Sequence, residues 1–169
     1  MKRLVIAILA VLFATMQANA QKVGYIESQT ILLQIPEYKT AQSKLELLST
    51  QYKNEFETKY KQIETLYQSY QASKASMTAS VRAQKESQII SMEQDVKALE
   101  KKYFGQDGNM QKKSQELLDP IKSIIGEAIE KVAQSGNYSI ILDISAMQGV
   151  AYAKPADNLT SSVLAVLGY

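Results

Sequence analysis

The sequence predicts an α+β protein that is mostly α-helical, with a long helical hairpin of the coiled-coil type projecting from a small β-body that several copies complete. Two long runs of apolar residues recur at helical spacing, one before and one after Thr78. Between them lies a polar segment with little to bury, "QASKASMTASVRAQKESQ". Residues 137–145, "NYSIILDIS", alternate apolar and polar side chains as a half-buried strand does. This strand needs partners, because an isolated strand pair is only marginally stable in water.

The first twenty residues have the features of a secretory signal peptide. Lys2 and Arg3 form a basic start, residues 4–14 are apolar, and residues 18–20 form a small-x-small cleavage site, Ala-Asn-Ala. The apolar stretch is shorter than the ~20 residues that a membrane span requires. We therefore expect cleavage after Ala20 and an exported mature chain.

Charge and composition exclude several classes of function. The chain has 19 basic and 17 acidic residues, no cysteine and no histidine. Without the two basic residues of the signal peptide, positive and negative charges are equal in number, so the mature chain is formally neutral. The absence of cysteine and histidine excludes disulfides, thiolates and imidazole bases. We therefore expect no enzyme, no cofactor, no metal site and no nucleic-acid partner.

The outgoing arm of the predicted hairpin follows a short strand candidate, "KVGYIES", and begins near Pro36. From Ala41 the apolar residues advance in steps of three and four, with a mean of about 3.6 residues, which is the α-helical period. Consecutive steps of four depart from a strict heptad, which predicts weak supercoiling. The predicted seam consists of Ala41, Leu45, Leu48, Tyr52, Phe56, Tyr60, Ile63, Tyr67 and Tyr70.

The return arm carries a regular heptad pattern that two glycines interrupt. Gly105 and Gly108 lie in "FGQDGN", after which apolar residues resume at Met110. A helix interior normally avoids glycine, at about 1 kcal/mol each. Two interpretations stay open: the glycines allow close packing beneath bulky residues of the other arm, or they form a hinge, together with Pro120. The heptad residues are Ile89, Met92, Val96, Leu99 and Tyr103.

Folding the sequence on itself near Thr78 tests the hairpin. Positions whose numbers sum to about 156 then face each other, and apolar residues meet apolar residues along both arms. Pro36 and Pro120 also fall opposite each other, as expected where both arms enter one body. The predicted pairs are Tyr67 with Ile89, Ile63 with Met92, Tyr60 with Val96, and Leu45 with Met110. The predicted boundaries are 37–119 for the hairpin, with its tip at about 72–82, and 21–36 with 120–169 for the body.

The predicted body contains three short strands and a C-terminal helix. The helix after Pro120 should stop at "SGN", two strands follow at 138–144 and 150–153, and Asp157 or Asn158 can cap the last helix. Three strands of about five residues cannot close a sheet, so several copies should pool their strands in an obligate oligomer. The residues predicted to build the oligomer body are Val23, Tyr25, Ile26, Tyr138, Ile140, Leu142, Ile144, Val150 and Tyr152.

Taken together, these segments resemble the Skp/OmpH family of periplasmic chaperones. The resemblance rests on the opening "KVGYIESQTIL", the long hairpin, "QKKSQELLDPIKSIIGEAIEKVAQSGNYSIILDIS" and the ending "GVAYAKPADNLTSSVLAVL". It implies a periplasmic homotrimer with a β-rich body and three helical tentacles that enclose a cavity. It also implies an ATP-independent holdase that keeps unfolded outer-membrane proteins from aggregating. The neutral mature chain departs from the best-known members, which are strongly basic.

Two groups of residues are candidate client contacts. The seam tyrosines Tyr60, Tyr67 and Tyr70 either fill the hairpin core or line the cavity and give weak apolar contacts to unfolded chains. The tip carries a local charge of +3 and an apolar side chain. This fits either a solvated helix end or contact with acidic client segments or anionic lipid. The candidate tip residues are Lys74, Met77, Arg82 and Lys85.

A structural protein is the alternative to a chaperone. The same hairpin would serve an envelope adaptor or spacer that docks to one fixed partner. The two interpretations differ in selectivity, since a holdase accepts many unfolded chains and a spacer binds a single folded protein.

Overall fold

The structure, a computed structural model, describes residues 21–169, and the expected signal peptide at 1–20 lies outside the described residues. The described chain is mostly helical and contains a long helical hairpin and a small sheet, which confirms the predicted α+β class, while the completion of the body by several copies stays a prediction. In chain order the elements are β1 (Val23–Ile26), α1 (Ser28–Gln34), α2 (Pro36–Ser73), a 3₁₀ turn (Lys74–Ser76), α3 (Ala79–Phe104), α4 (Asn109–Gly136), β2 (Ile140–Asp143), a second 3₁₀ turn (Pro155–Asp157) and α5 (Thr160–Leu167).

The chain divides into two compact units. Of the described residues, one unit contains 21–31 together with 126–169, and the other contains Leu32–Ile125. The first unit therefore includes the sheet and α5, which we call the body, and the second includes the hairpin of α2 and α3. Helix α4 contributes residues to both units.

The hairpin reverses direction in a short polar turn at residues 74–78. Pro36 starts α2, directly after the extended residue Ile35. A backbone N–H in the first turn has no helical carbonyl to bind, so the missing N–H of proline costs no hydrogen bond there. At the other end of the turn, the Thr78 side-chain oxygen accepts a 3.3 Å hydrogen bond from the Val81 amide and caps α3. Both arms thus begin at residues whose chemistry suits a helix start.

The core between α2 and α3 follows a seven-residue repeat, and the seam predicted for α2 is wrong at two positions. Tyr60 and Tyr67 are exposed, and Lys59 and Leu66 occupy the seam instead. The reason is that both choices repeat every seven residues with Phe56, Ile63 and Tyr70. They differ only in the step after Phe56 and Ile63, which is three residues in the structure and four in the apolar pattern. From 56 to 77 the residues with low exposure are Phe56, Lys59, Ile63, Leu66, Tyr70, Ser73 and Met77.

The return arm breaks between α3 and α4. The Gly105 amide bonds to the Lys101 carbonyl at 2.9 Å and ends α3. Asp107 then adopts a left-handed backbone, with φ of 59°, and its amide donates a 3.0 Å hydrogen bond to the side chain of Gln111. The segment between the two helices is therefore an ordered turn with its own hydrogen bonds.

An aromatic cluster fixes the register of the arms beside this break. Tyr52 stacks on Tyr103 with ring centroids 3.7 Å apart. Phe56 contacts Tyr103 and Phe104, in each case with centroids 5.8 Å apart. The Tyr103 hydroxyl donates a 2.8 Å hydrogen bond to Glu55. These contacts join residues whose numbers sum to between 155 and 160, in agreement with the antiparallel pairing expected from the sequence.

Strands β1 and β2 form a two-stranded parallel sheet within one chain. Val23 is paired with Ile140, and Tyr25 is paired with Leu142. The Tyr25 carbonyl also accepts a 2.8 Å hydrogen bond from the Leu159 amide. The strand in "NYSIILDIS" therefore finds its first partner in the opening segment of the same chain.

The predicted third strand is wrong. Residues 150–153 form no strand, and their backbone makes no hydrogen bond to any other residue between 21 and 169. Val150 and Tyr152 are 41% and 80% exposed. The alternating pattern is real, but a strand forms only where another backbone edge pairs with it.

Polar side chains tie the segments of the body together. Asn158 accepts a 2.9 Å hydrogen bond from the Thr160 amide at the start of α5, and its own amide group donates to Glu27 at 3.1 Å. The Asp143 carboxylate accepts a 3.1 Å hydrogen bond from the Ser28 amide at the start of α1. The C-terminal segment is thereby fastened to β1. The buried apolar residues of this unit are Ile26, Ile31, Ala128, Val132, Leu159 and Val163.

Candidate functional site

Two tyrosines stand out on the surface of α2. Tyr60 and Tyr67 are 56% and 50% exposed. Neither hydroxyl makes a hydrogen bond to another residue in the described part of the chain. They lie seven residues apart, about 10.5 Å along the helix. Both are therefore available as apolar contacts for another molecule.

Tyr70 has a different role from its two neighbours. It is 3% exposed, its hydroxyl donates a hydrogen bond to Glu86 on α3, and the Lys74 ammonium lies 5.3 Å from the centre of its ring. The hydrogen bond to Glu86, followed by burial, raises the pKa of the Tyr70 hydroxyl above its ordinary value. Tyr70 is thus part of the hairpin core and offers no surface to a client in this conformation.

The tip combines exposed cations with a partly buried methionine. Lys74 and Arg82 are exposed, and Lys85 is half-buried. No carboxylate forms an ion pair with any of the three among residues 21–169. Met77 packs against the apolar cluster of the hairpin and is only partly accessible. The tip therefore presents positive charge, with little apolar surface from Met77.

The three candidate hinge residues lie in two different settings. A methyl group on Gly105 would lie 2.4 Å from the Lys101 carbonyl oxygen, and one on Gly108 would lie 2.8 Å from the Gly105 carbonyl oxygen. Both positions therefore have a steric reason for glycine that involves no motion. Pro120 lies inside the continuous helix α4 and lines a shallow groove together with Pro36 and Leu117. The hinge itself stays a prediction.

The sheet of the body has one covered and one open face. Gly24 and Ile26 are buried on one side of β1. On the other side, Val23 is paired with Ile140 and these residues are 42% and 46% exposed. Leu142, which is paired with the half-buried Tyr25, is 39% exposed. Four apolar side chains thus form a patch that nothing between residues 21 and 169 covers, and we call Val23, Tyr25, Ile140 and Leu142 the open sheet face.

The remaining residues assigned to the oligomer body lie in other positions. Tyr138 is half-buried, with the Lys22 ammonium 4.0 Å from its ring centre. Ile144 is half-buried and its amide bonds to the Ile26 carbonyl at 3.0 Å. Ile26 is 3% exposed and belongs to the core of its own chain. Val150 and Tyr152 lie in the exposed segment after β2.

Sequence reasoning missed two carboxylates that hold the hairpin together. Glu86 accepts a hydrogen bond from the buried Tyr70, and Glu55 accepts one from the buried Tyr103. A signal was present, because Tyr70 and Glu86 have numbers that sum to 156, the register expected of facing residues. Pairing seam tyrosines with opposite carboxylates would have identified them.

Two further searches cover only residues 21–169. No helix there is both long and apolar enough to cross a membrane. No group of three or more acidic side chains is placed to hold a metal ion in the same range.

Comparisons with known proteins agree on one family. A model of the family described as outer membrane protein (OmpH-like) matches residues 22–167. The chaperone protein Skp of Yersinia enterocolitica is 28% identical over 153 residues, covering 90% of each chain. Skp of Vibrio cholerae is 24% identical over 164 residues, covering 92% of this chain and 91% of that protein.

The fold agrees as well. The crystal structure of an OmpH-like protein from Caulobacter crescentus superposes with a TM-score of 0.66 at 17% identity, covering 87% of this chain and 83% of the other. At that identity the superposition shows the fold alone. The family match spans nearly all of the described residues, and the chain belongs to the Skp/OmpH family.

Proposed function

We propose that this protein is a periplasmic chaperone that binds unfolded outer-membrane proteins and prevents their aggregation without ATP. Two relatives that match over about nine-tenths of their length are named chaperones, which supports this assignment. A holding function also needs no catalytic group, which fits a chain without cysteine or histidine. Export by the expected signal peptide at 1–20 would place the mature chain in the periplasm.

The observation that carries the proposal is the exposure of Tyr60 and Tyr67 on an arm whose core is already complete. Ile63, Tyr70, Ile89 and Val96 fill the seam without them. Aromatic side chains that are not needed for folding, and that make no hydrogen bond in the described chain, give weak apolar contacts to many sequences. A binder of unfolded chains needs this kind of surface rather than a shaped pocket.

We further propose that three copies assemble through their bodies. The open sheet face supports this, because four apolar side chains on a two-stranded sheet lack a covering layer in this chain. The exposed side chains of Val150 and Tyr152 would contribute further apolar surface to that layer. A closed trimer would cover the patch in every copy.

Trimerisation would also raise affinity for a client. Three hairpins joined by one body would enclose the client between them, so contacts that are individually weak would act together through a high effective concentration. This accounts for tight but reversible holding without nucleotide hydrolysis.

The test is an aggregation assay with and without the exposed tyrosines. The chain should suppress light scattering by an outer-membrane protein diluted from urea, at about one trimer per client and without ATP. Tyr60→Ala together with Tyr67→Ala should weaken client binding by about thirtyfold for each arm in contact with the client, since an aromatic contact contributes about 1 kcal/mol and two are lost from that arm.

A matched control comes from the same helix. Thr58→Ala with Thr65→Ala removes two exposed side chains at the same seven-residue spacing, and both hydroxyls bond only to backbone carbonyls of α2. This variant should behave as the unmodified protein. A chain that fails to delay aggregation, but captures one folded envelope protein, would instead support the spacer function.

A further inference from the structure

The hairpin has two flanks, one on each side of its seam, and contacts in the structure define them. On one flank, Lys74 lies over the Tyr70 ring and the Tyr70 hydroxyl bonds to Glu86. The residues of α2 at seven-residue intervals from Lys74, which we call its row, therefore lie beside the row of Glu86 on α3. On the other flank, Gln62 and Asp95 line one small cleft. We call the first the tyrosine flank, because Tyr60 and Tyr67 precede Lys74 at intervals of seven residues in its row.

Exposed apolar side chains are concentrated on the tyrosine flank. Tyr60 and Tyr67 come from α2, while Ile90 and Phe104 come from α3, each directly after a buried seam residue on that side. Ile90 is 53% exposed and Phe104 is 43% exposed. Only two other large apolar side chains of α2 and α3 are comparably exposed, and they lie elsewhere: Leu47 and Val81.

The same flank is acidic. Its exposed positions contain six glutamates and four lysines, a net charge of −2. The opposite flank of the two helices has half as many charged side chains and more serine, threonine and glutamine. The glutamates of the tyrosine flank are Glu46, Glu57, Glu64, Glu86, Glu93 and Glu100. Its lysines are Lys39, Lys53, Lys74 and Lys97.

We propose that the tyrosine flank is the client-contact surface and that it selects unfolded segments in which apolar residues alternate with lysine or arginine. An apolar segment laid across this surface would cover carboxylates without neutralising them, which costs free energy. An acidic segment would be repelled, whereas a segment with interspersed cations satisfies both the rings and the carboxylates. This inference rests on the proposed holdase function and adds to it a preference in client chemistry.

The experiment compares two labelled peptides of equal length with identical apolar positions. One has lysine and the other glutamate at every intervening position, and binding to the full-length mature protein is measured by fluorescence anisotropy. We expect the lysine peptide to bind about fivefold more tightly at low salt, which corresponds to about 0.5 kcal/mol for each of two net charges. At about 1 M salt the preference should largely disappear, because the Debye length falls to about 3 Å.

Charge reversal on one helix supplies the variant and its control. Glu93→Lys with Glu100→Lys changes two exposed residues of the tyrosine flank, and Asp95→Lys changes an exposed residue of the opposite flank on the same helix. The first variant should abolish or reverse the preference for the lysine peptide, and the second should retain it. Circular dichroism of both variants verifies that the hairpin is folded.

The outcomes separate this inference from the function on which it rests. If the protein suppresses aggregation but binds both peptides equally, the charge selection is wrong and the holdase function stands. If Asp95→Lys removes the preference as strongly as the double variant does, the tyrosine flank is not the surface responsible. If aggregation is not suppressed at all, the proposed function itself fails.

Discussion

The hairpin and the sheet of this chain differ in how far each completes its own core. In the hairpin, Val96 is 2% exposed and Tyr70 is 3% exposed, although only two helices meet there. In the sheet, the directly paired residues Val23 and Ile140 are 42% and 46% exposed. A single chain therefore buries the core of its hairpin, whereas one face of its sheet remains exposed.

The physical reason is the number of neighbours that each element has within the chain. A heptad seam needs only a second helix, and the turn at 74–78 supplies that helix directly. A sheet of two four-residue strands has two faces and two edges, and among residues 21–169 only the face of Gly24 and Ile26 is buried. An apolar sheet face without a cover is typical of a surface that another copy buries.

The largest effect is expected from a charge placed on the open sheet face. Ile140→Asp places a carboxylate on a side chain that is 46% exposed in the single chain, so the monomer should remain folded. Assembly should fail, because each buried apolar side chain contributes about 1.5–3 kcal/mol and a buried carboxylate adds a further cost. Sedimentation velocity should show monomers, with the helical circular dichroism unchanged.

Two control variants test whether the effect on assembly is specific to the open sheet face. Gln148→Asp adds the same charge at an exposed loop position of the same unit and should leave the trimer intact. Val96→Asp, in the hairpin core, should instead remove helical signal. An Ile140→Asp protein that still sediments as a trimer would place the assembly surface elsewhere.

The seam and the sheet were also predictable from the sequence to different degrees. The period of apolar residues identifies both arms, and the register in which numbers sum to about 156 matches Tyr70 with Glu86 and Tyr52 with Tyr103. Tyr60 and Tyr67 escaped this reasoning, because a step of three or of four residues after Phe56 and Ile63 satisfies the same seven-residue repeat, and the apolar pattern favours Tyr60 over Lys59. Their exposure, on which the candidate site depends, follows from that one-residue difference.

The sheet depends on contacts that no local pattern contains. The pairing of β1 with β2 joins residues more than 110 positions apart. Alternation predicts that a strand exists, but it does not specify its partner or direction. The same pattern in residues 150–153 led to a predicted strand that the structure does not contain, since no strand edge among the described residues pairs with it.

Two glycine-to-alanine substitutions should change the free energy of unfolding in opposite directions. Gly105→Ala should destabilise the protein by about 1–3 kcal/mol, because its methyl group would lie 2.4 Å from the Lys101 carbonyl oxygen and the backbone must shift. Gly126→Ala should stabilise it by about 0.5–1 kcal/mol, since its methyl group would meet no atom within 4 Å and alanine favours the helix. Urea unfolding at one fixed protomer concentration measures both effects.

The same pair of variants addresses the proposed hinge. If the break between α3 and α4 is a hinge, hydrogen exchange at residues 100–112 should change in Gly105→Ala and remain the same in Gly126→Ala. Equal stability of the two variants would contradict the steric role of Gly105. Unchanged exchange in a destabilised Gly105→Ala protein would leave that role intact and remove the hinge.

The smallest expected effect concerns the hydrogen bond that closes the hairpin near its tip. The bond from Tyr70 to Glu86 raises the pKa of the Tyr70 hydroxyl, so the folded state favours the neutral form. A group whose pKa is raised on folding contributes stability that is fully present below its unfolded pKa of about 10 and is lost as the pH rises through the folded value. The stability advantage of the unmodified protein over Tyr70→Phe should therefore shrink as the pH rises above about 10, as followed by urea unfolding. Glu86→Gln removes the carboxylate that raises this pKa and should flatten the pH dependence, because the neutral and ionised hydroxyl would then differ less between the folded and unfolded states. A constant difference between the unmodified protein and Tyr70→Phe across this range would show that the bond does not hold the two arms together.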